Sequence, residues 1–406
     1  MRYLFVLPPT LFIATLHAYL WLRLVHDTRL PKRAKWTATI VLIGLATLFP
    51  ATFIVWFRVH SAHPLHFAIA FGWLGAIGYA TAILVAWDGL RILGWFRRLV
   101  RRSPPPPPVS RASTAEETAL ARETRRLFIA RTVAGSAVLA AGSVSVFGVR
   151  AALWDITTPE VAVGLPRLPR ELDGYTIALL TDIHIGPVLD ARFLRHLVEQ
   201  TNRLKPDAIA LGGDLVDGRV IEIGNRAVSE LRHLRARDGV FMVTGNHEYY
   251  WGPDAWVGFI QSLGIRVLMN ERAALGDKSA AGAQFDLAGI PDHRAAQTHL
   301  VGPDVEVATF GRDDQRELVM LAHQPIQIHQ TSNVGTGLQL SGHTHGGQLN
   351  PFGAFAAMSH QPYLAGLYRH EQTDTQIYVS RGTGFWGPPL RVFAPAEIAL
   401  IRLYRA

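Results

Sequence analysis

The sequence contains no cysteine. Disulfides, thiolate nucleophiles and thiolate metal sites are therefore excluded, and any metal is left to His, Asp, Glu or Asn. Charge is scarce too: 18% of the 406 residues are charged, against about 25% in an ordinary soluble domain. With 49% hydrophobic residues, a disordered or wholly solvent-facing chain is excluded. There is no Gly-x-Ser-x-Gly elbow and no P-loop lysine motif, which argues against an acyl hydrolase or an NTP-driven machine. Acidic residues are few in the N-terminal part: residues 1–160 carry 18 basic and 7 acidic residues, residues 161–406 carry 22 and 25. The overall charge of +8 thus belongs to the N-terminal part. A nucleic-acid binder needs its positive surface on the domain that does the binding, so no nucleic-acid partner is expected.

Three apolar stretches, Tyr3 to Leu24, Trp36 to Phe57 and Phe67 to Trp87, are each long enough to cross a hydrocarbon core of about 30 Å as a helix. In the third, Ala68, Gly72, Ala76 and Ala80 set small side chains on one face, where a neighbouring helix can approach. These spans lack the buried ionisable pairs of an ion pathway, Asp88 lying near a span end. Arginines and a run from Pro104 to Pro108 follow, a stiff linker that cannot continue a helix. A short polar helix, Ser113 to Arg126, then leads into a fourth apolar segment, 127–154. The expected division is three spans in 1–100, a cytoplasmic Pro/Arg-rich linker in 101–126, and a fourth span or export-signal-like segment in 127–154. Positive residues gather in the first and third connections, which places both on the cytoplasmic side and everything after Trp154 outside the cytoplasm. Thr124-Arg125-Arg126-Leu127-Phe128-Ile129 resembles the twin-arginine export motif, although an ordinary positive flank explains it more simply.

From about Val161 the composition is that of one large globular domain, 161–406. Buried strands are expected at 176–180, 208–211, 240–243, 318–321 and 338–340, with helices at 191–204, 222–235 and 253–263. Each strand runs straight into a polar cluster: Thr181-Asp182-Ile183-His184, Gly213-Asp214-Leu215-Val216-Asp217, Gly245-Asn246-His247-Glu248, Ala322-His323 and Gly342-His343-Thr344-His345. Ligands gather at the C-terminal strand ends of such α/β layers. Carboxylate, imidazole and amide oxygen together suit Mn, Fe, Co, Ni or Zn better than Ca or Mg. Asp217 is read as shaping the turn after Asp214, with a hydrogen bond to a ligand as the alternative. Glu248 is read as orienting a histidine, and Asp292 and His293 as surface loop. Tyr249, Tyr250 and Trp251 divide evenly between substrate entrance and core.

These blocks, D-x-H, G-D-x-x-D, G-N-H-E, H and G-H-x-H in that order, resemble the calcineurin-like metallophosphoesterases. Tyr378-Val-Ser-Arg-Gly-Thr-Gly384, Pro388-Pro-Leu-Arg391 and Pro395-Ala-Glu397 are similar to the C-terminal signature of the membrane-associated bacterial branch. The resemblance implies an α/β fold in which two mixed or mainly parallel sheets pack face to face as a β-sandwich flanked by helices, here preceded by about four transmembrane helices. It also implies a dinuclear centre of two divalent metal ions. Asp182, His184, Asp214 and His345 would hold one ion, and Asp214, Asn246, His323 and His343 the other. His247 would stabilise phosphoryl charge or protonate the leaving oxygen. Two cations roughly 3.5 to 4 Å apart make hydroxide available near neutral pH and neutralise phosphate oxygens during in-line attack. The expected function is a membrane-anchored hydrolase of phosphodiester or pyrophosphate bonds, with tethering favouring a lipid-linked substrate. The competing reading is a membrane sensor or accessory protein whose metal domain binds phosphorylated ligands without turnover.

Overall fold

The computed structural model describes residues 7–59, 63–100, 115–277, 282–298, 300–371 and 373–406. The chain divides into two compact units, Met1–Phe147 and Gly148–Ala406.

The first unit is helical: α1 (Leu7–Trp21), α2 (Lys32–Val59), α3 (Pro64–Val100) and most of α4 (Ala115–Leu153). Among the described residues, Lys32–Val55, Pro64–Val100 and Glu117–Leu153 are long and apolar enough to cross a membrane. The stretch expected to span from Tyr3 is described from residue 7, and runs through α1 into a π turn, Leu22–His26. The prolines at 104–108 lie outside the described residues. Residues 115–126 and 127–153, expected as two segments, form one helix, because no proline interrupts them and Arg125-Arg126-Leu127 offers nothing that ends a helix. For the same reason α3 continues past Trp87 to Val100. The small-residue face of α3 is not its buried face: Phe67, Ala70, Phe71, Ile77 and Leu84 are buried, with only Ala80 of the small set fully so. Ala70, Gly75 and Ala80 sit there among the large side chains. Asp88 finds partners the sequence did not suggest, Arg23 Nη2 at 2.9 Å and the Tyr19 hydroxyl, which donates at 2.7 Å.

The second unit contains two six-stranded sheets. Strands β1 (Glu160–Leu165), β2 (Tyr175–Leu180), β3 (Ala208–Leu211), β4 (Val240–Met242) and β5 (Arg266–Val267) join the last strand, β12 (Ala399–Arg405), in the order β1-β12-β2-β3-β4-β5. Strands β6 (Glu271–Gly276), β7 (Gln284–Gly289), β8 (Leu318–Leu321), β9 (Leu338–Ser341), β10 (Gly366–Arg369) and β11 (Gln376–Val379) make the other, in the order β10-β11-β9-β8-β7-β6. β2, β3 and β4 run parallel, as do β7, β8 and β9, so within each sheet the polar clusters emerge at one end. Helices α5 (Ala191–Arg203), α6 (Asn246–Trp251), α7 (Pro253–Ser262), α8 (Val305–Thr309), α9 (Ile328–Thr331) and α10 (Phe352–Met358) complete the unit. The region expected as a helix over 222–235 is instead a π turn, Val220–Gly224, and a 3₁₀ stretch, Val228–His233. Gly224, a poor helix former, ends the π turn, and Asn225, another, falls between the two.

Side chains alternate along each strand, and both faces of the first sheet are apolar. Ile177 and Leu179 of β2 join Ala208, Ala210 and Phe241 against Leu287, Val319, Leu321, Leu338 and Leu340, forming the core between the sheets. Ala178 and Leu180 face the other way, under Leu194 and Leu197 of α5 and Trp256 and Ile260 of α7. The Asp190 carboxylate caps α5, accepting from Arg192 N at 2.9 Å and Phe193 N at 3.2 Å. The predicted helix-flanked sandwich is therefore present.

Candidate metal centre

Each candidate ligand sits just beyond a strand. Asp182 and His184 follow β2, Asp214 follows β3, Asn246 opens α6 after β4, His323 follows β8, and His343 and His345 follow β9. Asp182, His184, Asp214, His343 and His345 all adopt positive φ, between 51° and 70°. Such conformations cost of order 1–3 kcal/mol each and persist where the surroundings impose them, which makes their clustering a mark of function.

The structure brings six of these seven residues into two groups. The ligand atoms of Asp182, His184 and His345 lie within 4.8 Å of one another, and so do those of Asp214, His323 and His343. Asp214 Oδ2 faces both groups, 3.2 Å from His323 Nε2 and 3.9 Å from His184 Nε2. The Nε2 atoms of His184 and His345 approach to 3.1 Å. Asn246 Oδ1 and His323 Nε2 are buried and have no hydrogen-bond partner among the described residues. Buried polar atoms are ordinarily satisfied, and a divalent cation would satisfy both. His323 Nδ1 is 2.8 Å from the Gly212 carbonyl; donating there turns its Nε2 lone pair toward Asp214. The residues present thus fit a pair of divalent ions.

Glycine permits the crowding. A methyl group on Gly342 would collide with Thr181 and Asp182, and one on Gly245 with the Asp214 carboxylate.

Electrostatics shifts the histidines in both directions: burial alone would lower His323, but the Asp214 carboxylate outweighs it and holds His323 well above the usual range. Burial and the neighbouring His323 push His343 down to about 3. Burial and His184 hold His345 well below the usual range. Both are neutral near pH 7, the form that can ligate. Burial alone would lower His247 as well, but the carboxylates of Asp214 and Asp217 outweigh it and raise His247 to about 9. Those carboxylates favour the protonated imidazole, the form that can give a proton or face a phosphate.

Several residues take roles that the sequence left open or misread. Asp217 does more than shape a turn: Oδ1 lies 2.5 Å from His247 Nδ1 and Oδ2 lies 3.2 Å from His184 Nδ1. Glu248 orients backbone rather than a histidine, accepting from the amides of Gly245 at 2.6 Å, Leu215 at 2.8 Å and Asp214 at 3.1 Å. Burial and the Asp214 carboxylate push Glu248 up to about 7, while the amides of Gly245 and Leu215 pull the other way. Asp292 is not surface loop. It is fully buried and accepts from the Arg294 amide at 2.6 Å and from Gln324 Nε2 at 2.9 Å. The aromatic trio divides. Trp251 packs on the core, Tyr249 reaches Thr244, and exposed Tyr250 lies edge-on to His247 with ring centroids 5.1 Å apart. Arg391, quoted above only as part of a motif, is buried and donates to the carbonyls of Gly384 and Ala394, with Nη2 lying 3.3 Å from His345 Nδ1.

Comparison with known proteins follows the same outline. A family model described as calcineurin-like phosphoesterase matches residues 175–347. An uncharacterised metallophosphoesterase of Helicobacter pylori is 40% identical over 245 residues, covering 60% of this chain and 63% of the relative. The match thus spans less than two thirds of that relative's length. A transmembrane protein with metallophosphoesterase domain from Bos taurus is 37% identical over 262 residues, covering 62% of this chain and 57% of its own. Its counterpart in Danio rerio aligns over 400 residues at 31% identity, covering 96% of this chain and 86% of the relative. With strand-end clusters, fold and nearly the whole length in agreement, the chain belongs to the calcineurin-like metallophosphoesterase family.

Proposed function

We propose that this chain is a membrane-anchored, metal-dependent phosphoesterase that hydrolyses phosphodiester or pyrophosphate bonds, with lipid-linked phosphoesters as its substrate class. The observation that carries the reading is the single carboxylate oxygen of Asp214 facing both groups of candidate ligands. Asp182, His184, Asp214 and His345 would hold one divalent ion, and Asp214, Asn246, His323 and His343 the second. When bound, such a pair supplies Lewis acidity, neutralising phosphate oxygens and acidifying water near neutral pH. His247, held through Nδ1 by Asp217, presents Nε2 on the side of Asp214 Oδ2, 3.9 Å away, and gives its proton to the departing oxygen. Tyr250 and Trp386 stand at 5.1 and 5.8 Å from the His247 ring and bound the approach to it.

Tethering supports the lipid-linked substrate, since a membrane-held enzyme meets membrane-held esters at high local concentration. The arginine-rich connections support a catalytic unit outside the cytoplasm.

The test is hydrolysis of bis(p-nitrophenyl) phosphate and p-nitrophenyl phosphate by the full chain in detergent, stripped of metal and then restored with Mn, Zn, Ni or Co. Metal-restored cleavage, faster for the diester, is the expected result. Stoichiometric metal binding without turnover of either ester would reduce the domain to a ligand-binding module.

A further inference from the structure

Beside the metal centre lies an apolar surface that the chemistry above does not use. Helix α10, Phe-Gly-Ala-Phe-Ala-Ala-Met, has no polar side chain, yet Phe352, Phe355 and Met358 on one of its sides are exposed, Phe355 to 75% and Met358 to 63%. Phe393 is 88% exposed and holds a φ of +54°, an uncommon conformation for a bulky residue. Local bonds impose it: Val392 N donates to the Gln348 carbonyl at 2.7 Å and Asn350 N to the Val392 carbonyl at 3.2 Å. The fold thus holds a phenyl ring outward. The same Gln348 accepts from Trp386 N at 3.0 Å, and half-exposed Trp386 meets the His247 ring, so hydrogen bonds through Gln348 link this segment to the neighbourhood of His247. Large exposed apolar groups held outward in this way mark an interaction surface.

Where the segment is attached identifies its occupant. Arg391 N donates to the Gly148 carbonyl at 2.9 Å, and Leu390 packs on Gly148. Gly148 lies near the end of the membrane-spanning candidate Glu117–Leu153, and exposed Trp154 follows, a residue type that favours the membrane–water interface. A loop fixed to the last turns of a spanning helix is held at the face of the bilayer. We propose that α10 and Phe393 seat in the lipid leaflet, forming an apolar rim through which the phosphoester head group of a lipid reaches the metal centre. This rests on the phosphoesterase reading and supplies its route of substrate entry.

The absence of cysteine makes the test direct. Full-length Phe355→Cys and Phe393→Cys chains carry a single environment-sensitive fluorophore and are reconstituted into phosphatidylcholine–phosphatidylglycerol vesicles containing spin-labelled lipid. Phe310→Cys is the reference: Phe310 is 84% exposed and precedes β8, at the strand end away from His323. Strong quenching at 355 and 393, with little at 310, is expected. Equal weak quenching at all three overturns the proposal, as does shielding at 355 and 393 by a second copy or another protein without lipid contact. Hydrolysis of bis(p-nitrophenyl) phosphate by the same chains separates the readings. Turnover without quenching sinks the rim alone, and quenching without turnover sinks the phosphoesterase alone.

Discussion

Replacing Asp214 by Asn lowers metal-restored phosphodiester hydrolysis by at least about 10³-fold, the scale of losing several kcal/mol of charge stabilisation at a two-metal site. Asn keeps the size of the side chain and can still accept from the His247 amide, which Asp214 Oδ1 meets at 2.8 Å. What it loses is the charge between the two ligand groups. Metal content measured by mass spectrometry is expected to fall with activity, while far-UV circular dichroism stays unchanged. Activity within tenfold of the parent at full metal content would show that Asp214 does not join the two groups.

The second large effect is expected at His247. His247→Asn lowers kcat by about 10² to 10⁴-fold, the usual worth of a positioned proton donor. Asp217→Asn lowers it less, because the imidazole remains but loses the carboxylate that holds Nδ1 and raises its basicity. The double variant is no worse than His247→Asn alone, since Asp217 acts on turnover through His247. Asp217 also lies 3.2 Å from His184 Nδ1, so metal content is read alongside kcat. Losses that multiply in the double variant at full metal content would show that Asp217 works by another route.

How legible these features were depended on how local their causes are. β3 and β8 could be read because each is an unbroken apolar run buried on both faces and ended by a polar cluster; β2 and β4 are nearly so, and β9, interrupted by Gln339, still runs into such a cluster. β6 begins Glu-Arg and β10 ends in Arg with three exposed residues. Both are outer strands of their sheet, where burial does not dictate composition. The candidate ligands were visible because D-x-H and H-x-H are local patterns, whereas the bond between Asp217 and His247 joins residues 30 positions apart. Asp292 looked like surface because Pro291-Asp292-His293 is a polar loop; its partner Gln324 is brought in by the fold from 32 positions away. The exposure of α10 had no sequence signal at all, since Phe-Gly-Ala-Phe-Ala-Ala-Met reads equally well as a core helix.

Titrating the metal-stripped full chain with Mn or Zn tests the dinuclear reading most directly, following bound metal and bis(p-nitrophenyl) phosphate hydrolysis together. The account predicts two ions bound per chain, with hydrolysis rising as the second site fills. Full hydrolysis with a single ion bound, or none with both sites filled, would contradict it.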